Sequence, residues 1–135
     1  MNEILNLTQH KATAEQIDEG VFDLDDEHVE ELKSLLTFEE LPSSQCLYER
    51  AYKIGELVLD VKNAFRLGGD AEYGEEIRCM IGGAPYFMGT LETVLRSFGF
   101  VSVYAFSERV SEEKEVDGKI IKTQVFKHLG FVEVV

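Results

Sequence analysis

Arg78-Cys79-Met80-Ile81-Gly82-Gly83-Ala84-Pro85, continued by Tyr86-Phe87-Met88-Gly89-Thr90-Leu91-Glu92-Thr93-Val94-Leu95-Arg96-Ser97-Phe98-Gly99 and by Phe100-Val101-Ser102-Val103-Tyr104-Ala105-Phe106, reads as strand, glycine turn, helix, strand. The short apolar run Cys79-Met80-Ile81 suits a strand buried on both faces, and Gly82-Gly83-Ala84-Pro85 stops it with residues that permit or fix unusual φ. From Pro85 onward Phe87, Leu91, Val94, Leu95 and Phe98 fall on one helical face, and Gly99 stands where a C′ glycine closes a helix. Val101, Val103 and Ala105 then alternate with Ser102, Tyr104 and Phe106. A crossover of this length implies two parallel strands joined right-handedly, with the glycine turn at the carboxyl edge where such sheets bind ligands.

Working outward, Ile4-Leu5-Asn6-Leu7-Thr8 reads as a strand in the middle of the sheet. Thr13 followed by Gln16 matches a capping box for a short helix ending by Gly20. Val21-Phe22-Asp23-Leu24 reads as a short strand or an extended connector. Asp25 or Asp26 then caps a helix whose apolar face is Val29, Leu32, Leu35 and Leu36. Residues 37–44 form a linker, and Ser43 or Ser44 caps the longest helix, residues 45–66, with Leu47, Ala51, Ile54, Val58, Val61 and Phe65 on one stripe. Leu67-Gly68-Gly69-Asp70 ends it, and polar residues 71–76 lead into the buried strand. Asp117-Gly118 is a two-residue turn between hairpin arms 110–116 and 119–126, whose Glu and Lys content suits a projecting or edge ribbon, and residues 130–135 read as a last strand. The expected fold is a single α/β domain over residues 1–135, Rossmann-like and three-layered, with a mainly parallel sheet and a C-terminal β-hairpin.

With 135 residues and 44% hydrophobic content the chain can build one sizeable core. No run approaches the ~18 apolar residues of a membrane span, and Met1-Asn2-Glu3-Ile4 lacks a signal-peptide pattern, so a cytoplasmic protein with no membrane contact is expected. Cys46 and Cys79 read as small hydrophobes. A net charge of −13 disfavours duplex nucleic acid. The acid is uneven: residues 15–49 hold twelve Asp or Glu against Lys33 alone, whereas residues 100–135 hold six acids against five bases. An acidic face can therefore coexist with a positive pocket, and reads as a solvated surface, as a site for a basic partner or as a mimic of nucleic acid.

Three clusters meet at the carboxyl edge if the three strands are parallel neighbours: Thr8-Gln9-His10-Lys11, the Gly82-Gly83-Ala84-Pro85 turn, and Ser107 with Arg109. Glycines let amides approach a phosphate, and the helix from Tyr86 turns its positive end to the same place. The competing reading of the turn is a plain strand-to-helix connection. His10 suits proton exchange near neutral pH or donation to a phosphate, against helix capping. His10, Lys11 and Arg109 are thus the candidate catalytic residues, and Thr8, Gln9, Gly82, Gly83, Ala84 and Ser107 the candidate ligand contacts. His28 reads as solvated, and His128 as either reaching over the pocket or lying on an exposed arm. No metal-ligand spacing, P-loop, complete dinucleotide fingerprint or serine-nucleophile elbow occurs, so no cofactor is called for.

The opening Ile4-Leu5-Asn6-Leu7-Thr8-Gln9-His10-Lys11-Ala12-Thr13, with Glu15-Gln16 after it, resembles small CRISPR-associated accessory proteins of the CARF and ring-nuclease group, with Thr8, His10 and Thr13 in the matching places. The resemblance implies a role in antiviral defence and a Rossmann-like homodimer that binds cyclic oligoadenylate across its two-fold axis. It further implies metal-independent cleavage by placing a ribose 2′-hydroxyl for in-line attack. The expected function is binding of a nucleotide or other phosphorylated small molecule, extending to a cyclic oligonucleotide and phosphodiester cleavage. The alternative is a non-catalytic interaction protein of phage or mobile-element origin that acts through its acidic face or hairpin.

Overall fold

A computed structural model describes residues 3–65 and 76–134. The elements in order are β1 (Ile4–Asn6), α1 (Ala14–Asp18), β2 (Val21–Phe22), α2 (Asp26–Leu36), α3 (Ser44–Phe65), β3 (Arg78–Met80), α4 (Pro85–Ser97), β4 (Val101–Val116) and β5 (Lys119–Val134). The glycine stop expected after α3 and the loop expected at 71–75 lie outside the described residues.

The local signals act as their chemistry requires. Thr13 and Gln16 form a reciprocal capping box on α1. The Ser43 hydroxyl accepts from the Cys46 N–H at 3.1 Å and so caps α3. Pro85 opens α4, and Gly99 at φ 85° follows its end, where a residue with a Cβ would be strained. Asp25 has the backbone of an N-cap for α2 but makes no capping bond. Its carboxylate instead meets Nδ1 of His28 at 2.5 Å, which corrects the reading of His28 as merely solvated. That bond, more than the charge itself, holds the Asp25 carboxyl below its ordinary value.

One sheet holds all five strands in the order β2-β1-β3-β4-β5. β1 is parallel to both β2 and β3, β3 is parallel to β4, and β5 runs antiparallel to β4. The architecture is therefore a mixed α/β fold, and the expectation of a mainly parallel sheet is corrected. The parallel pairs are short, Ile4 to Asn6 against Arg78 to Met80 for example, whereas β4 and β5 pair from Ser102 with Val134 to Val116 with Lys119. The cause is local. Asp117 and Gly118 take φ of 51° and 76°, the doubly positive turn that matches strand twist, so the two arms continue the last body strands without a break. The separate hairpin and final strand expected from the sequence are parts of β4 and β5.

α2, α3 and α4 cover one face. Leu32 and Leu36, then Ala51, Ile54, Val58 and Val61, then Phe87, Leu91 and Leu95 pack with Leu5, Leu7, Cys79 and Ile81 of the sheet segments. Burial pushes the Cys79 thiol far up, so it behaves as a hydrophobe. The opposite face has a smaller cluster, Ile4, Val21, Met80 and Val103, flanked by Ala12, Val101 and Phe131. α1 buries none of its own residues. No helix among the described residues is long and apolar enough to cross a membrane.

Candidate functional site

The chain runs from β1 to one neighbour, β2, and later returns to the other side of β1 as β3. At the carboxyl ends of β1 and β3 the outgoing segments diverge and leave a cleft of about 590 Å³. It is lined by Thr8, Gln9, His10 and Lys11 after β1, by Gly82 and Gly83 after β3, and by Tyr104 and Ala105 of β4, with Thr13 and Gln16 at its side.

Its first wall is held by Asn6, a residue that belongs to no motif in the sequence. Asn6 is 5% exposed, and both ends of its amide are satisfied. Oδ1 accepts from the Thr8 N–H at 2.9 Å and from the Thr8 hydroxyl at 2.7 Å. Nδ2 donates to the His10 carbonyl at 2.7 Å and to Asp23 Oδ1 at 2.8 Å. The same Asp23 oxygen accepts from the Ala12 N–H at 3.0 Å. A buried polar network satisfied in this way fixes a loop's path. The available signal was the asparagine itself, one polar residue inside Ile4-Leu5-Asn6-Leu7.

The network decides what each neighbour has left to offer. The one proton of the Thr8 hydroxyl has Asn6 Oδ1 at 2.7 Å and the His10 carbonyl at 3.1 Å as acceptors, and its oxygen accepts from the His10 N–H at 3.4 Å, so toward a ligand Thr8 is an acceptor or nothing. Gln9 reaches away, Nε2 lying 3.4 Å from the Leu36 carbonyl. His10 and Lys11 are exposed, and their side chains take no ion pair among the described residues. The second wall is main chain. A Cβ on Gly82 would sit 3.5 Å from Thr8 Cγ2, so the two walls are in van der Waals reach there, and Gly83 has φ 153°. Ala84 follows as the N-cap of α4 without a side-chain cap, leaving first-turn N–H groups free of any side-chain partner. Tyr104 closes the cleft from β4, its hydroxyl donating to Glu92 Oε2 at 2.6 Å. Burial, then the Glu92 carboxylate, raises its phenol well above the ordinary value.

The electrostatics run against the rest of the surface. In a chain with 26 Asp and Glu against 13 Lys and Arg, no carboxylate is among the described residues that line this cleft, and Lys11 supplies a positive charge. An open depression of about 710 Å³ between α2 and α3 differs: Glu30, Glu39 and Glu40 line it, and its Arg50 donates to the Leu35 and Thr37 carbonyls and lies 4.3 Å over Phe38. That cation is occupied in holding the linker. No group of three or more His, Cys, Asp or Glu that could hold a metal occurs among the described residues.

Among the candidates Ala84 borders the cleft without lining it, and two others are not brought to it. Ser107 and Arg109 lie beyond the point where β4 leaves the body; Ser107 pairs with His128, and the Arg109 guanidinium sits 5.5 Å from the Phe126 ring. The sequence reading ended the strand at Phe106, but the antiparallel ladder carries it on to Val116. His128 does neither thing expected of it. Its side chain is 6% exposed, Nε2 is 3.2 Å from Glu19 Oε1, and the ring packs edge-on to Phe131 at 4.9 Å.

The model of the uncharacterized protein MJ1673 family matches residues 2–132. The chain belongs to that family. The match takes in both walls of the cleft and β4–β5 as far as Val132. No curated protein and no solved structure matches the chain.

Proposed function

We propose that this family member is a Rossmann-like protein whose cleft between the β1 and β3 ends binds a nucleotide or another phosphorylated small molecule. The observation that carries the reading is the composition of that cleft: main-chain amides at Gly82 and Gly83, the Lys11 ammonium and the His10 imidazole, with no lining carboxylate, in a strongly acidic chain. Strand order supports it. In open α/β sheets ligands sit where successive connections leave a strand in opposite directions, and the order β2-β1-β3 puts that point between β1 and β3.

The chemistry available there is modest and specific. Glycine amides and the start of α4 suit phosphate oxygens, and Lys11 suits their charge. For a cyclic oligoadenylate the same groups support phosphodiester cleavage. A ribose 2′-hydroxyl passes its proton to solvent as its oxygen attacks the adjacent phosphorus, the P–O5′ bond breaks, and a 2′,3′-cyclic phosphate and a 5′-hydroxyl result. His10 gives the leaving 5′-oxygen its proton, and Lys11 offsets the charge gathered on the phosphoryl oxygens. Arg109 has no part in this step because of its place on the ribbon.

The test is a thermal-shift screen against mononucleotides, dinucleotides, cyclic dinucleotides and cyclic oligoadenylates, with the mixtures then analysed by mass spectrometry. A ligand at about 100 times its Kd adds about 2.7 kcal/mol of stability, readily seen in a domain of this size. A shift that is lost in Lys11→Ala and kept when Asp26, Glu27 and Glu30 are changed to Lys supports the cleft. A shift abolished by the α2 changes and indifferent to Lys11 sinks it in favour of the acidic face.

A further inference from the structure

Past Phe106, β4 and β5 leave the body of the protein as a free two-stranded ribbon. The register steps there, with Phe106 opposite Gly130 and Ser107 opposite His128, so that Leu129 is the extra residue of a bulge. Beyond it both edges of the ribbon are open, since β3 ends at Met80 opposite Val103. A lone two-stranded ribbon is at best marginal in water.

Strand alternation and the register sort its side chains onto two faces. Val110 is opposite Val125, Lys114 opposite Ile121 and Val116 opposite Lys119, so Val110, Val116, Ile121 and Val125 share one face in line with Phe106. Phe106 is 54% exposed, and Val116 and Ile121 are 48% and 45% exposed. Glu108, Glu112, Lys114, Lys119 and Lys127 stand between them on that face. The other face carries Ser107, Arg109, Ser111, Glu113 and Glu115 opposite His128, Phe126, Gln124, Lys122 and Ile120; its two large apolar side chains, 67% and 71% exposed, lie apart, Phe126 beneath the Arg109 guanidinium and Ile120 beside the turn.

Charge says what can cover the apolar face. Residues 107–129 contain five acids (Glu108, Glu112, Glu113, Glu115, Asp117) and five bases (Arg109, Lys114, Lys119, Lys122, Lys127), a net charge of zero. The whole −13 of the chain therefore resides elsewhere. A nucleic acid or an anionic bilayer would require a positive ribbon, and a basic protein would be drawn to the acidic remainder. A second copy of this chain is repelled by acidic stretches such as residues 15–49, whereas the ribbon is neutral, carries both signs and is apolar between them. The acids are concentrated on β4 and the bases on β5, so the patch is complementary to itself, which an isologous contact requires.

We propose that the apolar face of the ribbon, centred on Val110, Ile121 and Val125, is the surface through which two copies of this chain pair. The pairing is independent of whether the cleft is filled.

The test is the mass in solution by light scattering or sedimentation, over a range of protein concentration and salt. Wild type is expected at the mass of two chains. Val110→Glu with Ile121→Glu is expected at one chain with unchanged circular dichroism, whereas Ser111→Glu with Gln124→Glu on the opposite face stays at two. A wild type that remains one chain throughout, or an apolar-face variant that stays paired, overturns the proposal. Should that variant not fold, amide exchange on wild type decides: protection across residues 108–126 that rises with protein concentration supports pairing, and protection independent of concentration overturns it.

Discussion

The side-chain amide of Asn6 donates to the main-chain carbonyl of His10 across 2.7 Å, tying the loop that carries the candidate imidazole to the buried strand that precedes it. With Asp23 accepting from the same amide, the path of residues 8–12 is set from beneath. Asn6→Ala leaves buried donors and acceptors unpaired and is expected to cost about 1–3 kcal/mol in chemical denaturation. Asn6→Asp should cost more at neutral pH, because it replaces a donor to Asp23 with a second carboxylate, and should recover in part as acid protonates the pair. Equal losses for the two variants at pH 7 would show that the donor side of Asn6 is not what holds the loop.

How much of this was legible follows from where the controlling signal lies along the chain. The Thr13–Gln16 capping box, the apolar face of α4, the Gly99 stop and the Asp117-Gly118 turn are all settled within a few residues, and each has the expected form. Four of the cleft's lining residues, Thr8 to Lys11, follow β1 and three, Ile81 to Gly83, follow β3, so the parallel pairing of those strands is enough to bring them together. Ser107 and Arg109 were misplaced because their position depends on how far β4 stays paired, a property of the partner strand β5, 20 or so residues away. The same holds for His128, whose neighbours Glu15 and Glu19 lie in α1 and at its C-cap. Asp23 reads as part of a short strand or an extended connector, and only the fold puts it under the Ala12 amide.

Gly55 in the middle of α3 faces the ring of Phe98, and an added Cβ would fall 2.4 Å from Phe98 Cε2. The ring has little room to withdraw, being stacked on Phe100 at 6.0 Å and set against Tyr52 at 5.3 Å. Gly55→Ala gains roughly 1 kcal/mol of helix propensity, but overpacking of this kind costs about 1–3 kcal/mol, so net destabilisation is expected. Phe98→Leu in the same chain should return part of the loss, and a double-mutant cycle on melting temperature measures the coupling. Additive effects would place the clash elsewhere.

Tyr104 predicts an alkaline limb to stability. Its phenol is raised in the folded protein by burial and by Glu92, whereas in the unfolded chain it titrates near its ordinary value of 10.0. Below pH 10 both states hold the proton and the group contributes no pH dependence. Above it the unfolded state loses the proton first, so stability falls as pH rises. Tyr104→Phe should remove that part of the slope, and absorbance titration should show one tyrosine ionising later than the others. An unchanged slope in the phenylalanine variant would assign the alkaline limb to other groups.

Gly82 and Gly83 separate the needs of the fold from those of a ligand. A methyl on Gly82 meets Thr8 Cγ2 at an ordinary 3.5 Å and requires no unusual φ, so Gly82→Ala should leave stability within about 0.5 kcal/mol of wild type. At Gly83 the backbone stands at φ 153°, where a side chain is strained, and Gly83→Ala should cost about 1–3 kcal/mol even though the methyl's nearest contact, Met88 Cε at 3.4 Å, is a flexible end that can yield. Gly82→Ala therefore adds bulk to the cleft wall without disturbing the frame. Its ligand-induced thermal shift should shrink while its melting temperature without ligand holds. A Gly82→Ala protein that responds to the ligand as strongly as wild type would remove the glycine wall from the binding surface and leave Lys11 and His10 as the side of the cleft to examine.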